Sequence, residues 1–85
     1  MRSVSRFQWT EQAKGELRKI ERQQAMNILL ELTRYGATSQ GGVKHLKNSD
    51  EYRLRVGDYR ARFLAQEDGT LRIVHVRHRK DAYRG

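Results

Sequence analysis

Two alternating stretches that meet at Gly57-Asp58 constrain the fold of this chain more than any other feature. Apolar residues alternate with arginines on both sides of the pair, in residues 52–56 and 59–63. A period of two places successive side chains on opposite faces of a strand. Glycine at the first position of a two-residue loop favours a type II′ turn. The sequence therefore predicts an antiparallel hairpin with one apolar face and one face of arginines.

The predicted turn also fixes the register of this hairpin. The expected apolar pairs are Val56–Tyr59, Leu54–Ala61 and Tyr52–Phe63. On the other face, Arg55 opposes Arg60 and Arg53 opposes Arg62. Like charges directly opposite each other destabilise a ladder by some tenths of a kcal/mol per pair. A sheet with a purely structural role would normally avoid this arrangement, so the arginines indicate a bound anion.

A second hairpin is predicted around Asp68-Gly69, which suits a two-residue type I′ turn. Its register pairs Phe63 with Val74 and Ala61 with Val76 on the apolar side. It also adds His75 and Arg77 to the opposite side. We therefore expect one exposed face that contains Arg53, Arg55, Arg60, Arg62, His75 and Arg77. A one-residue slip in either turn would break this alignment.

The remaining elements precede these hairpins. Phe7 and Trp9 alternate with polar residues and predict a short strand, and Thr10 is a candidate N-cap for a helix from about Glu11. A second helical stretch covers residues 25–35, with Gly36 as its expected stop and a loop over 36–42. Residues 43–46 predict a weak strand. The fold class is α+β: an N-terminal strand, two helices, then a three- to four-stranded, mostly antiparallel sheet.

Composition limits the class of protein further. The 85 residues form one domain, 1–85, without cysteine, and 18 basic against 10 acidic side chains give a net charge of +8. The excess is +3 in residues 1–42 and +5 in residues 43–85, where the strands lie. No apolar run is long enough for a membrane helix and no secretory signal is visible, so we expect a cytoplasmic protein that does not bind membranes. Such a charge attracts polyanions.

The side chains favour phosphate chemistry without a cofactor. Arginine binds phosphate bidentately and stays charged, but for that reason it is no general base. The imidazole of histidine suits proton transfer, which makes His75 and His78 candidates, and Tyr83 would need cationic neighbours to lower its pKa. Three histidines without nearby paired carboxylates argue against a metal site. No glycine-rich nucleotide loop lies between a strand and a helix.

Three segments carry a resemblance to a known family. Residues 43–47, 52–60 and 76–84 resemble the RelE/ParE family of bacterial toxins from type II toxin–antitoxin systems, and the RelE-like branch in particular. The likeness covers about Phe7 to Tyr83. It implies a RelE-like fold and a metal-independent, ribosome-dependent endoribonuclease. Such an enzyme cuts mRNA in the ribosomal A site, contacts 16S rRNA there, and uses the RNA 2′-hydroxyl as the nucleophile.

The resemblance also implies partners and residue roles. An acidic, RelB-like antitoxin would neutralise the toxin in a heteromeric complex that binds operator DNA. The catalytic group implied is Arg60, His78, Arg79 and Tyr83, with Arg77 as the alternative to Arg79. The RNA-binding group is Arg53, Arg55, Arg62, Arg77, Lys80, Lys44 and Lys47. Family members often carry lysines where Arg53 and Arg55 stand, which leaves His78 and Tyr83 as candidate bases.

Two other functions stay open at this point. One is a ParE-like poison of DNA gyrase, which shares the fold and cuts no RNA. The other is a non-catalytic basic module that binds RNA or antitoxin.

Overall fold

The computed structural model describes residues 6–47 and 49–82, and its architecture is the predicted α+β class. Strand β1 (Phe7–Trp9) is followed by helices α1 (Glu11–Arg18) and α2 (Arg22–Thr38), strands β2 (Val43–His45), β3 (Glu51–Val56), β4 (Tyr59–Ala65) and β5 (Leu71–His78), and a short helix α3 (Arg79–Ala82). The strand order is β1-β5-β4-β3-β2. The sheet therefore has five strands, because β1 joins it parallel to β5.

The core lies between the helices and the apolar face of the sheet. Phe63 is fully buried, and its ring lies 5.7 Å from that of Tyr52 and 5.5 Å from that of Tyr35. Helix α2 contributes Ile28 and Leu32, both 1% exposed. This is the face that the alternation assigned to the core, and its burial supplies most of the driving force for folding.

Each of the two long helices begins at a side-chain N-cap. The Thr10 hydroxyl accepts a hydrogen bond from the Ala13 N–H at 3.1 Å, and the Glu21 carboxylate caps α2 in the same way. The predicted stop at Gly36 is wrong, because α2 continues to Thr38. Ser39 takes the left-handed cap conformation instead, with φ of 59°. A glycine inside a helix costs about 1 kcal/mol, which the packing of α2 offsets.

The first hairpin has the predicted register. All three apolar pairs are present, and Arg55 opposes Arg60 while Arg53 opposes Arg62. Gly57 has φ of +57°, and among the described non-glycine residues only Ser39 has a positive φ. Asp58 therefore has a negative φ, as the second position of a type II′ turn requires.

The second hairpin differs from the prediction at its turn. The Gln66 N–H donates to the Thr70 carbonyl at 2.8 Å and the Gly69 N–H donates to the Gln66 carbonyl at 3.0 Å. The loop thus has three residues, with Gly69 in a positive-φ conformation, as three-residue hairpins favour. The predicted two-residue turn is therefore wrong.

A β-bulge on β5 cancels the effect of the longer loop. Phe63 pairs with Ile73, so the expected pairing with Val74 is also wrong. Between Arg62 and Phe63 the register shifts by one residue, and Val74 has no partner on β4. Beyond this point the predicted pairs return, namely Arg62–His75, Ala61–Val76 and Arg60–Arg77. The bulge therefore preserves the arginine alignment.

Gly15 and Gly69 offer a matched test of the backbone. A methyl group at either position meets no atom within 4 Å, but only Gly69 has a positive φ, of +90°. We expect Gly15→Ala to raise the free energy of unfolding by about 0.5–1 kcal/mol, because Gly15 is helical. Gly69→Ala should lower it by about 1–2 kcal/mol. Urea denaturation measures both, and changes of the same sign would contradict this account.

Candidate nucleic-acid interface

Two rows of basic residues cross the face of the sheet opposite the core. In the first row, Lys44 opposes Arg53, Arg53 opposes Arg62, and Arg62 opposes His75. In the second row, Arg55 opposes Arg60 and Arg60 opposes Arg77. We call these seven residues the basic face. The cross-strand register thus brings most of the predicted RNA-binding residues together on three to four neighbouring strands.

Arg60 departs from the expected exposure, because it is buried and only 7% exposed. Its Nη1 atom donates to the Gly57 carbonyl at 3.2 Å and the Tyr59 carbonyl at 3.0 Å. Its Nε atom is buried and has no hydrogen-bond partner. No carboxylate within residues 6–47 and 49–82 pairs with it. Arg60 is therefore a guanidinium fixed by the turn, with a charge that an incoming anion can balance.

A carboxylate lies beside the first row. Arg62 Nη2 lies 2.8 Å from Glu51 Oε1, and both side chains are less than one third exposed. Glu51 precedes Arg53 by two residues on β3, so it belongs to the same face. Its charge offsets part of the repulsion between Arg53 and Arg62.

A second carboxylate reaches the basic face from helix α1. Glu16 Oε1 accepts from the Val76 N–H at 2.8 Å and lies 3.6 Å from His75 Nδ1. Glu16 Oε2 accepts from Arg77 Nε and from Gln12 Nε2, each at 2.9 Å. The Glu16 side chain is 17% exposed. One carboxylate therefore joins α1 to the backbone and side chains of β5.

The surroundings of Glu16 keep its carboxylate ionised. Burial raises the pKa, but hydrogen bonds from the Val76 N–H, Arg77 and Gln12, with the positive charge of Arg77, outweigh burial. The pKa of Glu16 is consequently below its ordinary value of 4.5. An ionised carboxylate therefore pairs with the charge of Arg77, whereas no carboxylate among the described residues pairs with Arg60.

Sequence reasoning missed both carboxylates, although each left a signal. Glu16 stands three residues after Ala13 and four before Ile20, inside the apolar stripe of α1. A charged residue in such a stripe indicates a buried partner. Glu51 shares the alternation of the arginines on β3. These carboxylates also weaken the argument that opposed arginines require a bound anion, since they supply part of the offset.

The structure places His78 away from the basic face. His78 pairs with Tyr59, which packs against the core, and the two rings meet edge to face with centroids 5.3 Å apart. Because successive strand residues alternate, His78 and Arg77 belong to opposite faces. The His78 Nδ1 atom accepts from the Lys80 N–H at 3.2 Å. His78 therefore lies at the end of the sheet, beside the Gly57-Asp58 turn.

Four predicted site residues remain, and one of them lies at the same turn. The Arg79 N–H donates to the Asp58 carbonyl at 2.6 Å, and the exposed Arg79 side chain lies 3.9 Å from the Asp58 carboxylate. Lys80 and Lys47 are exposed. Tyr83 lies outside the described residues.

Other features of the described chain do not compete with this interface. A cavity of about 60 Å³, lined by Phe7, Trp9, Leu29, Leu32 and Thr33, is apolar and too small for a nucleotide. In the part of the chain that the structure describes, no three His, Asp or Glu side chains are grouped to hold a metal ion. None of its helices has the length and apolar character to span a membrane.

The sequence matches one family model over residues 7–83, described as the ParE toxin of type II toxin–antitoxin systems. The chain therefore belongs to the RelE/ParE family of toxins, as the resemblance implied. No curated protein matches it.

Three solved structures similar to this chain are toxin–antitoxin complexes. The RelE–RelB complex from Pyrococcus horikoshii matches with a TM-score of 0.77 and 20% identity over 96% of this chain and 99% of that chain. The RelB–RelE complex from Methanococcus jannaschii gives 0.75 and 20% over 91% and 95%. The RelBE complex from E. coli gives 0.72 and 16% over 84% and 92%. At these identities the likeness establishes the fold.

Glu16 predicts a pH dependence of stability. Because its pKa is lowered in the folded state, its stabilisation is present above the ordinary value of 4.5 and is lost as pH falls through the lowered pKa. We expect Glu16→Gln to lower the free energy of unfolding by about 1–2 kcal/mol at pH 7. The difference from the wild type should shrink as the pH falls below 4.5.

Denaturation series between pH 7 and pH 3 measure this difference. Glu31→Gln is the control, because Glu31 pairs with Arg34 at 3.4 Å on an exposed helix face. Such exposed pairs contribute little at any pH. An undiminished deficit of Glu16→Gln at the lowest pH would contradict the role given to ionised Glu16.

Proposed function

We propose that this toxin is a ribosome-dependent endoribonuclease that cleaves mRNA without a metal ion. The observation that carries the proposal is the pairing of Arg60 with Arg77 across β4 and β5. Residues opposed in an antiparallel pair have Cα atoms about 4.5–5.5 Å apart, so two guanidinium groups can reach one phosphate. Arg60 adds a buried cation without a carboxylate partner among the residues described.

The reaction needs charge stabilisation and two proton transfers. The 2′-oxygen forms a bond to phosphorus, the bond from phosphorus to the 5′-oxygen breaks, and the products are a 2′,3′-cyclic phosphate and a 5′-hydroxyl. A base takes the 2′-hydroxyl proton, and an acid gives a proton to the leaving 5′-oxygen. Arg60 and Arg77 would stabilise the negative charge that develops on the phosphate.

The proton-transfer groups are His78 and Tyr83 in this proposal. Arginine stays protonated, so Arg60 and Arg77 are excluded as bases. His78 lies at the end of β5, one residue beyond Arg77 and on the opposite face of the strand, so it would reach the phosphate around the end of the sheet, beside the Gly57-Asp58 turn. Arg79 would act from beside the Gly57-Asp58 turn, where it contacts Asp58, and its exposure suits contact with the RNA backbone.

The rest of the basic residues would hold the RNA. We assign phosphate contacts to Arg53, Arg55, Arg62, Lys44, Lys47 and Lys80. Contacts of this kind position a strand without choosing its sequence. They are consistent with action in the cytoplasm on an mRNA that the ribosome presents.

We also propose an acidic antitoxin as the protein partner. The solved structures similar to this chain are complexes of a toxin with its antitoxin. The net charge of +8 favours an acidic partner. A partner that binds only the folded toxin would also stabilise it. Co-expression with the product of the adjacent reading frame tests this, and an untouched, fully toxic protein would contradict it.

Cleavage of mRNA on programmed ribosomes tests the catalytic assignment. Arg60→Lys, Arg77→Ala and Tyr83→Phe should each lower the single-turnover rate by roughly 100-fold or more, because each removes a donor or a proton-transfer group. His78→Ala and Arg79→Ala complete the set. The control is Arg34→Ala on α2, which should cleave at the wild-type rate. Intact mRNA in the presence of folded wild-type protein would contradict the proposal.

A gyrase poison is the second candidate, and one observation favours it: the matching family model is that of the ParE toxins. Expression of the chain without antitoxin separates the two. An mRNA interferase stops amino-acid incorporation first and leaves chromosomal DNA intact. A gyrase poison produces cleaved DNA complexes and an SOS response while translation initially continues.

A binding module without catalysis would behave differently again. Its affinity for RNA should fall steeply with salt, and each arginine removed from the basic face should reduce the salt slope by about one. Such a module should also bind a substrate mRNA without cutting it. RNA binding measured over a range of salt concentrations, in parallel with the cleavage assay, distinguishes binding from turnover.

A further inference from the structure

We propose that Glu16 is a positioning residue that orients Arg77 toward the scissile phosphate, a role that rests on the proposed ribonuclease function. The basis is the contact between Glu16 Oε2 and Arg77 Nε at 2.9 Å. Glu16 itself does not touch RNA in this proposal. It acts by holding the guanidinium of Arg77 in one place beside Arg60.

The edge of β5 beyond the end of β1 is where the Glu16 carboxylate binds. Strand β1 pairs with β5 only as far as Ile73. Beyond Ile73, two side chains form hydrogen bonds with the backbone of β5. Thr10 Oγ1 donates to the Val74 carbonyl at 3.4 Å, and Glu16 accepts from the Val76 N–H at 2.8 Å. The Glu16 carboxylate thus accepts a backbone hydrogen bond from the edge of β5 beyond the end of its pairing with β1. This fixes its distance from Arg77, the following residue of β5.

The atoms used favour an orienting role. Arg77 donates to Glu16 through its Nε atom, so its two terminal nitrogens stay available for two oxygens of a phosphate. A free arginine side chain carries about 2 kcal/mol of rotamer entropy, which a fixed Nε partner removes before RNA binds. Gln12 in turn donates to the same Glu16 oxygen at 2.9 Å.

A clamp with a purely structural role is the competing explanation. Glu16 also contacts the backbone of Val76, so its loss could loosen the edge of β5 without any effect through Arg77. Glu16→Gln separates the two roles, because an amide oxygen can still accept from the Val76 N–H. The amide lacks the charge that holds Arg77. Glu16→Asp is the second variant, since it keeps the charge and shortens the reach.

A double-mutant cycle with Arg77 is the decisive experiment. Single-turnover cleavage is measured on programmed ribosomes for the wild type, Glu16→Gln, Arg77→Ala and the double variant. We expect Glu16→Gln to lower the maximal rate roughly 10- to 100-fold, since small misplacements near the reacting atoms have such effects. The toxin concentration at half-saturation should stay unchanged. In the Arg77→Ala background, Glu16→Gln should have no further effect.

Two outcomes of this cycle overturn the proposal. The first is a Glu16→Gln rate equal to that of the control Glu31→Gln, which removes the same charge from a helix face on α2. The second is additivity, in which Glu16→Gln costs as much without Arg77 as with it. If Glu16→Gln does not fold, Glu16→Asp is carried through the same cycle under the same criteria.

A spectroscopic measurement keeps Glu16 separable from the ribonuclease proposal. If folded wild-type toxin leaves mRNA intact, the ribonuclease proposal fails, and NMR of the arginine Nε–H groups tests Glu16 independently. Inorganic phosphate should shift the Arg77 resonance in the wild type, and the free Arg77 signal should differ in Glu16→Gln. Identical Arg77 spectra and phosphate responses in the two proteins would overturn the orienting role.

Discussion

The register of strands β3, β4 and β5 is the constraint on which the rest of the molecule depends. It places Leu54, Ala61 and Phe63 on the side that the helices cover, and it stacks arginines on the other. A shift by one residue would exchange the two faces and put guanidinium groups into the core. Gly57 at the first turn and the bulge at Val74 therefore control both the stability of the fold and the position of the candidate site.

The charges on the basic face are balanced unevenly, because carboxylates pair with some of its arginines and not with others. Glu51 compensates Arg62 at one end, and Glu16 compensates Arg77 at the edge near α1. Arg60 lies between Arg55 and Arg77 with only carbonyl partners for its Nη1 atom. A phosphate placed at Arg60 would satisfy the buried cation that the described residues leave uncompensated. The positions of these charges, more than the net charge, thus make the surroundings of Arg60 the most favourable place on the basic face for a phosphate.

Family membership does not by itself decide the activity of this toxin. The sequence matches the ParE toxin model, whereas the three solved structures compared above are RelE complexes. Both toxins use one fold, and a fold can carry unrelated activities. In the proposed ribonuclease, Arg60 and Arg77 would supply the cations at the phosphate, and a separate group would move the protons.

The sequence by itself determined the fold class, the first hairpin and the opposed arginines, because alternation and turn chemistry are local properties. It did not determine the loop at Gly69, since a two-residue and a three-residue turn both suit Asp68-Gly69. The end of α2 at Ser39 and the burial of Arg60 also escaped it. Only the tertiary structure placed Glu16 on Arg77 and on the backbone of Val76. Those contacts join residues up to 61 positions apart, and packing alone brings them together.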